Sequence, residues 1–144
     1  MLSAPIALET GAPNNRLTAI SCPSSAGCVA TAYELYNGAP YAYGEIWENG
    51  AWTIHSVPSN AGMQLNGISC TSTTNCTAVG NLTESNGNVV TLAEHWNGTE
   101  WTHQTTPDEP GPTNELAAVS CVLTCTAVGS DTNDIGTWGM VAGS

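Results

Sequence analysis

Residues 65–115 read LNGISCTSTTNCTAVGNLTESNGNVVTLAEHWNGTEWTHQTTPDEPGPTNE, and the unit they spell recurs on either side, once slightly shortened and once split across the termini. Its opening phrase, L-x-x-[IV]-S-C, occurs as Leu17-Thr-Ala-Ile-Ser-Cys22, Leu65-Asn-Gly-Ile-Ser-Cys70 and Leu116-Ala-Ala-Val-Ser-Cys121. A second cysteine follows within a few residues and opens a run of small side chains: Cys28-Val-Ala-Thr-Ala, Cys76-Thr-Ala-Val-Gly and Cys125-Thr-Ala-Val-Gly. The copies start 48 and 51 residues apart. A period in that range marks a propeller blade or another repeat array, in which stacked neighbours bury apolar faces that no single unit could bury alone.

Each unit predicts four short strands. The first carries the L-x-x-[IV]-S-C phrase and the second the C-[VT]-A run. A connection rich in Gly, Asn and Ser follows, over 34–40 in the first copy and 81–88 in the second. The third strand is expected over 41–47 or 89–96, and the fourth over 52–57 or 101–106. Between them lie Glu48-Asn49-Gly50 and Asn97-Gly98-Thr99, and Asn-Gly between apolar runs is a strong hairpin signal because both residues accept positive φ. Pro58 and Pro107 end the fourth strands, since proline cannot donate to a ladder. No helical periodicity occurs, and the expectation is an all-β chain.

The third copy stops near the end of its third strand, 136–142, and lacks a fourth. Residues 2–8 offer one: Leu2 lies fifteen residues before Leu17, as Trp101 lies fifteen before Leu116. The expected organisation is therefore a completing outer strand and linker over 1–16, a first blade over 17–64, a second over 65–115 and a partial third over 116–144. Pro5 is tolerable in that strand because it would lie at the outer edge of its sheet. Three blades cannot close a ring, because propellers have ~4–8. The last blade is therefore expected to take the N-terminal strand of a neighbouring chain, head to tail. A homodimer of six blades is the expected assembly, ahead of a homotrimer, because a heterologous contact closes into a ring when its rotation allows.

Composition narrows the partners. The formal net charge is -11 and Arg16 is the one Lys or Arg in the chain, so phosphate backbones and anionic membrane surfaces find almost no counter-charge. Nucleic acid and membrane are both excluded as expected partners. No apolar run approaches the ~20 residues of a membrane span. Residues 1–14, without a basic start or a continuous apolar core, do not read as a signal peptide. The polar surface is made of hydroxyls and amides rather than ion pairs, which with five Trp and four Tyr suits a secreted β-protein.

The phrases ISC, C-[TV]-A, AVG and E-x-W-x-x-G-x-W resemble the repeats of roughly 50 residues found in secreted β-propeller proteins of actinobacteria and related soil bacteria. That resemblance covers nearly the whole chain; it implies the repeat type and no particular activity. More loosely, Glu94-His-Trp96-Asn-Gly98-Thr-Glu-Trp101 is similar to the acidic-then-Trp hairpin of small oligomeric fucose-binding propeller lectins. In that family an Arg and a Glu hydrogen-bond the sugar while a Trp stacks on it. The first two copies here have the Glu and the Trp, and neither has the Arg.

The six cysteines form three local pairs, Cys22/Cys28, Cys70/Cys76 and Cys121/Cys125, each joining the end of one strand to the start of its hairpin neighbour. Opposed residues of adjacent antiparallel strands lie within disulfide reach, and such bonds imply an oxidising compartment. Zinc is the rival, but it needs four convergent ligands at spacings these pairs lack.

Trp47, Trp52, Trp96 and Trp101 flank the two turns. They can clamp hairpins and fill space between blades, or present a sugar-stacking platform beside Glu45 or Glu94; both hold if one Trp of a pair is buried and the other open. His95 and His103 lie on adjacent strands of one hairpin, where they could flank a ligand or share a metal. Asp131 and Asp134 form a weak candidate for calcium in the connection before the third strand, where Asp, Asn and Gly are expected as turn formers in any case.

No metal, cofactor or catalytic residue is assigned. Neither G-x-S-x-G nor a phosphate-binding glycine motif occurs, and a carboxylate pair such as Glu45 and Glu48 arises readily by chance among twelve acids. The expected function is non-catalytic, lectin-like carbohydrate binding by a secreted propeller. A structural or protein-interaction scaffold is the alternative, and a glycoside-hydrolase-like enzyme comes third.

Overall fold

The computed structural model describes residues 15–58, 61–108, 110–133 and 136–143, with side chains described as far as Thr132. The chain is all-β, with no helix among these residues. Among the described residues, eleven strands run in three successive antiparallel meanders. The first is β1 (Asn15–Ser24), β2 (Gly27–Tyr36), β3 (Ala39–Glu48) and β4 (Ala51–Ser56). The second is β5 (Met63–Ser72), β6 (Asn75–Thr83), β7 (Val89–Trp96) and β8 (Trp101–Gln104). The third is β9 (Thr113–Cys121), β10 (Cys125–Asn133) and β11 (Gly136–Gly143). Residues 1–14, including the expected completing strand over 2–8, lie outside the described residues.

Turn chemistry sets the hairpins. Asn49 and Gly50 join β3 to β4 with φ of 52° and 81°, the mirror-image turn that matches strand twist. Asn37 and Gly38 do the same between β2 and β3, with φ of 51° and 82°. That second turn corrects the expected connection over 34–40: the strands run to within two residues of each other, and Asn-Gly is the reason. Asn97 and Gly98 behave differently. Four residues separate β7 from β8, and Asn97 Oδ1 accepts hydrogen bonds at 2.9 Å from the N–H groups of both Thr99 and Glu100.

The first meander forms a four-stranded sheet of its own. The second and third share one hydrogen-bonded sheet, order β11-β10-β9-β7-β6-β5 with β8 on β7, and this differs from three separate four-stranded blades. The link between them is a single parallel pair, Val89 with Thr113, supported by the Val89 N–H donating to Pro112 O at 2.9 Å.

Successive meanders stack through their first strands, β1 beside β5 and β5 beside β9. The first junction buries Val29, Ala42 and Ile46 against Leu65, Ile68, Leu92, Trp96 and Trp101. The second is smaller, with Val79 and Ala93 against Leu116, Ala127 and Val119. A serine stitches each junction. The Cys70 N–H donates to Ser21 Oγ at 3.0 Å, and the Cys121 N–H donates to Ser69 Oγ at 2.9 Å. The Ser of each of the first two I/V-S-C phrases thus receives the N–H of the next copy's Cys.

All three expected disulfides are present: Cys22–Cys28, Cys70–Cys76 and Cys121–Cys125. In the second and third copies the paired cysteines stand directly opposite in the strand register. They suit an oxidising, extracellular environment. No helix among the described residues is long and apolar enough to cross a membrane.

Candidate functional site

Each Trp pair faces itself across its hairpin: Trp47 opposite Trp52 with ring centroids 5.7 Å apart, and Trp96 opposite Trp101 at 5.5 Å. The pairs differ in burial. Trp47 and Trp52 are half-buried, whereas Trp96 and Trp101 are fully enclosed. Trp96 Nε1–H donates to Thr73 O at 2.9 Å, and the Trp96 ring lies 4.7 Å from that of His55. Trp101 presses so closely on the first meander that a Cβ added at Gly44 would fall 2.6 Å from its Nε1. The second-copy indoles therefore fill the first junction, and neither leaves a face on which a sugar could stack.

Glu45 and Glu94 occupy equivalent places, opposite Ala30 and Ala78, and both are fully buried. The register puts Ala142 opposite Ala127, so the third copy has no such carboxylate. Burial pushes the Glu94 carboxyl above its ordinary range, and His103, with Nδ1 3.2 Å from Glu94 Oε1, pulls part of the way back. Glu45 is raised by burial too, and neither of its oxygens has a hydrogen-bond partner among the described residues. The Tyr43 hydroxyl is pushed up to about 12, chiefly by burial and then by the charges of Glu45 and Glu34. Glu45 and Glu48 stand three residues apart on β3, hence on opposite faces, and do not converge as an acid pair.

The histidines separate for the same reason. His103 is paired in register with Glu94, and His95 with Thr102, so their side chains leave opposite faces of the hairpin and cannot share a metal. Asp131 lies within β10, opposite Asn114, and is buried, which removes it from the expected calcium loop. Asp134 lies outside the described residues.

A cleft of about 330 Å³ opens between the second and third copies. Thr77, His95, Gln104, Thr105 and Thr106 supply hydroxyl, imidazole and amide groups; Val79, Ala93, Leu116 and Val119 supply apolar surface. The first junction explains why the cleft is open. There His55 and Gly44 meet Trp96 and Trp101. At the second junction Gln104 takes the place of His55 and Ala93 that of Gly44.

No protein-family model, curated protein or solved structure matches the chain. The cleft's chemistry has to be read from its own atoms.

Of the predicted ligand-binding residues, only His95 lines this cleft, beside the predicted disulfide cysteine Cys125. Thr77, Gln104, Thr105 and Thr106 were not singled out by sequence, because their exposure follows from a difference between neighbouring copies. The signal was the third copy's lack of the Glu-x-Trp phrase, which leaves one junction without its filling.

Proposed function

We propose that the chain is a secreted, non-catalytic segment of a β-propeller, three successive blades, and that it binds neutral carbohydrate in the cleft between its second and third repeats. The lining of that cleft carries the reading. Three threonine hydroxyls, a glutamine amide and an imidazole stand beside five aliphatic side chains and the Cys125 sulfur, with no carboxylate, Lys or Arg among them. Such a wall offers a charged ligand no counter-ion, while alternating polar and apolar atoms suit the hydroxyls and C–H faces of a sugar ring. The volume lies in the range of small-molecule sites. Successive meanders, stacked first strand to first strand and stitched by the serine of the same phrase, support the blade reading, and the disulfides support secretion.

A structural or protein-interaction scaffold is the second reading, favoured by the burial of Trp96, Trp101 and Glu94, which spends the lectin-like hairpin on packing. A glycan array followed by titration separates the two. Binding weakened several-fold by Gln104→Ala and by Thr105→Val is expected, as each removes one hydrogen bond. No glycan bound at millimolar concentration would leave the scaffold.

A further inference from the structure

The two ends of the stack are unlike each other, and each carries half of a junction that the chain makes internally. Register fixes the counterparts: Ile20, Ile68 and Val119 oppose Ala30, Ala78 and Ala127, and Leu17, Leu65 and Leu116 oppose Ala32, Gly80 and Gly129. Leu65 and Leu116 are 0% exposed because each meets the preceding meander, whereas Leu17, the same position in the first described meander, is 43% exposed. Ile20 is 56% exposed against 8% for Ile68. At the far end Val128 is 49% exposed, while its counterpart Val79 is 1% exposed and packs on Leu116.

We propose that a second copy of this chain seats on these ends, head to tail, so that Leu17 and Ile20 of one copy meet Val128 of the other. The occupant follows from the internal junctions. Val79 packs on Leu116 inside the chain, and Val128 and Leu17 are the same two positions left open. The hydrogen-bond series points to the same partner. Ser21 receives the Cys70 N–H and Ser69 receives the Cys121 N–H, so the next member joins Ser120 Oγ to the Cys22 N–H of a following copy. A face that matches itself would make a two-fold contact; here the complementary faces are at opposite ends, so the contact is heterologous and closes only as a ring. Two chains bring six meanders into that ring. The inference rests on the end faces and not on the ligand reading.

Native mass spectrometry and light scattering of the full chain at tens of micromolar provide the test. The expected result is twice the chain mass. Leu17→Asp and Val128→Asp, on opposite ends, should each reduce it to one chain while leaving the far-ultraviolet circular dichroism and the absence of free thiols unchanged. Ser120→Ala, a milder change for the case in which either aspartate disturbs folding, should weaken association several-fold. A wild-type mass of one chain overturns the proposal. So does a dimer that only one of the two aspartate variants breaks, since that contact would join like faces.

Discussion

Nδ1 of His103 stands 3.2 Å from Oε1 of Glu94, so an exposed imidazole on β8 compensates a carboxylate that β7 has carried fully into the interior. The equivalent Glu45 has no such neighbour, because the register places Ile54 opposite it where the second copy has His103. Both carboxyls are raised by burial. Between the unfolded value of ~4.3 and the raised folded value, the native state holds more protons than the unfolded state, so stability falls as pH rises through that window. The contribution is fully present below the window and lost above it. Glu45→Gln should therefore flatten the decline and raise stability at pH 7. His103→Ala should steepen it, by removing the partner that offsets Glu94. Urea denaturation at pH 4, 5.5 and 7 checks both, and a Glu45→Gln profile parallel to wild type would contradict the account.

Gly44 and Trp101 form a close contact at the first junction. With the added Cβ 2.6 Å from Nε1 and 2.7 Å from Cζ2, Gly44→Ala forces the indole to move within a packed interior, at a cost of about 1–3 kcal/mol. Trp101→Ala empties the space instead and should cost ~3–5 kcal/mol. The two effects are coupled: in a Trp101→Leu background, Gly44→Ala should cost far less than in wild type. Denaturation of the four proteins of that cycle gives the coupling directly.

The repeat phrase, the three cysteine pairs and the strand span of β7 over 89–96 were all legible in the sequence, because each is a local pattern repeated or paired at short range. Even the missed hairpin at Asn37-Gly38 carried the same signal as Asn49-Gly50, with Leu35 and Tyr36 before it and Ala39 and Pro40 after it. The site was less legible. Whether a Trp is a platform or a wedge depends on what its neighbour offers: Gly44 opens a place for Trp101, and nothing in either hairpin announces that. The separation of His95 from His103 was readable from strand alternation once the register was known, since eight residues on two paired strands can bring side chains together or apart according to the turn between them. The cleft came from an absence in the third copy, visible only after the copies were stacked.

The disulfides close short loops, with sequence separations of 6, 6 and 4. Loop-closure entropy then gives ~2 kcal/mol for each. Replacing Cys121 and Cys125 together with Ser should lower the unfolding free energy by about that amount. Intact mass after iodoacetamide without reductant should show no label on wild type, and six labels would refute the pairing.

Asp108 governs how well the cleft keeps its shape. Its Oδ1 accepts the Thr91 N–H at 2.7 Å and lies 2.8 Å from Thr91 Oγ1, while Thr106 Oγ1 lies 2.7 Å from the same hydroxyl. Thr91 is buried on β7, so this cluster anchors the segment after β8, which carries Thr105 and Thr106 into the cleft wall. Asp108→Ala leaves a buried N–H without its charged acceptor, and hydrogen bonds of that kind contribute about 1.5–3 kcal/mol. Asp108→Asn keeps a carbonyl oxygen at the same place and should recover roughly half the loss. If the cleft binds carbohydrate, Asp108→Ala should also weaken that binding although the side chain does not line the cleft, because Thr105 and Thr106 would no longer be held in position. Calorimetric titration of both variants with a sugar identified on the array separates the two effects: stability lost with affinity intact would place the anchor outside the binding chemistry.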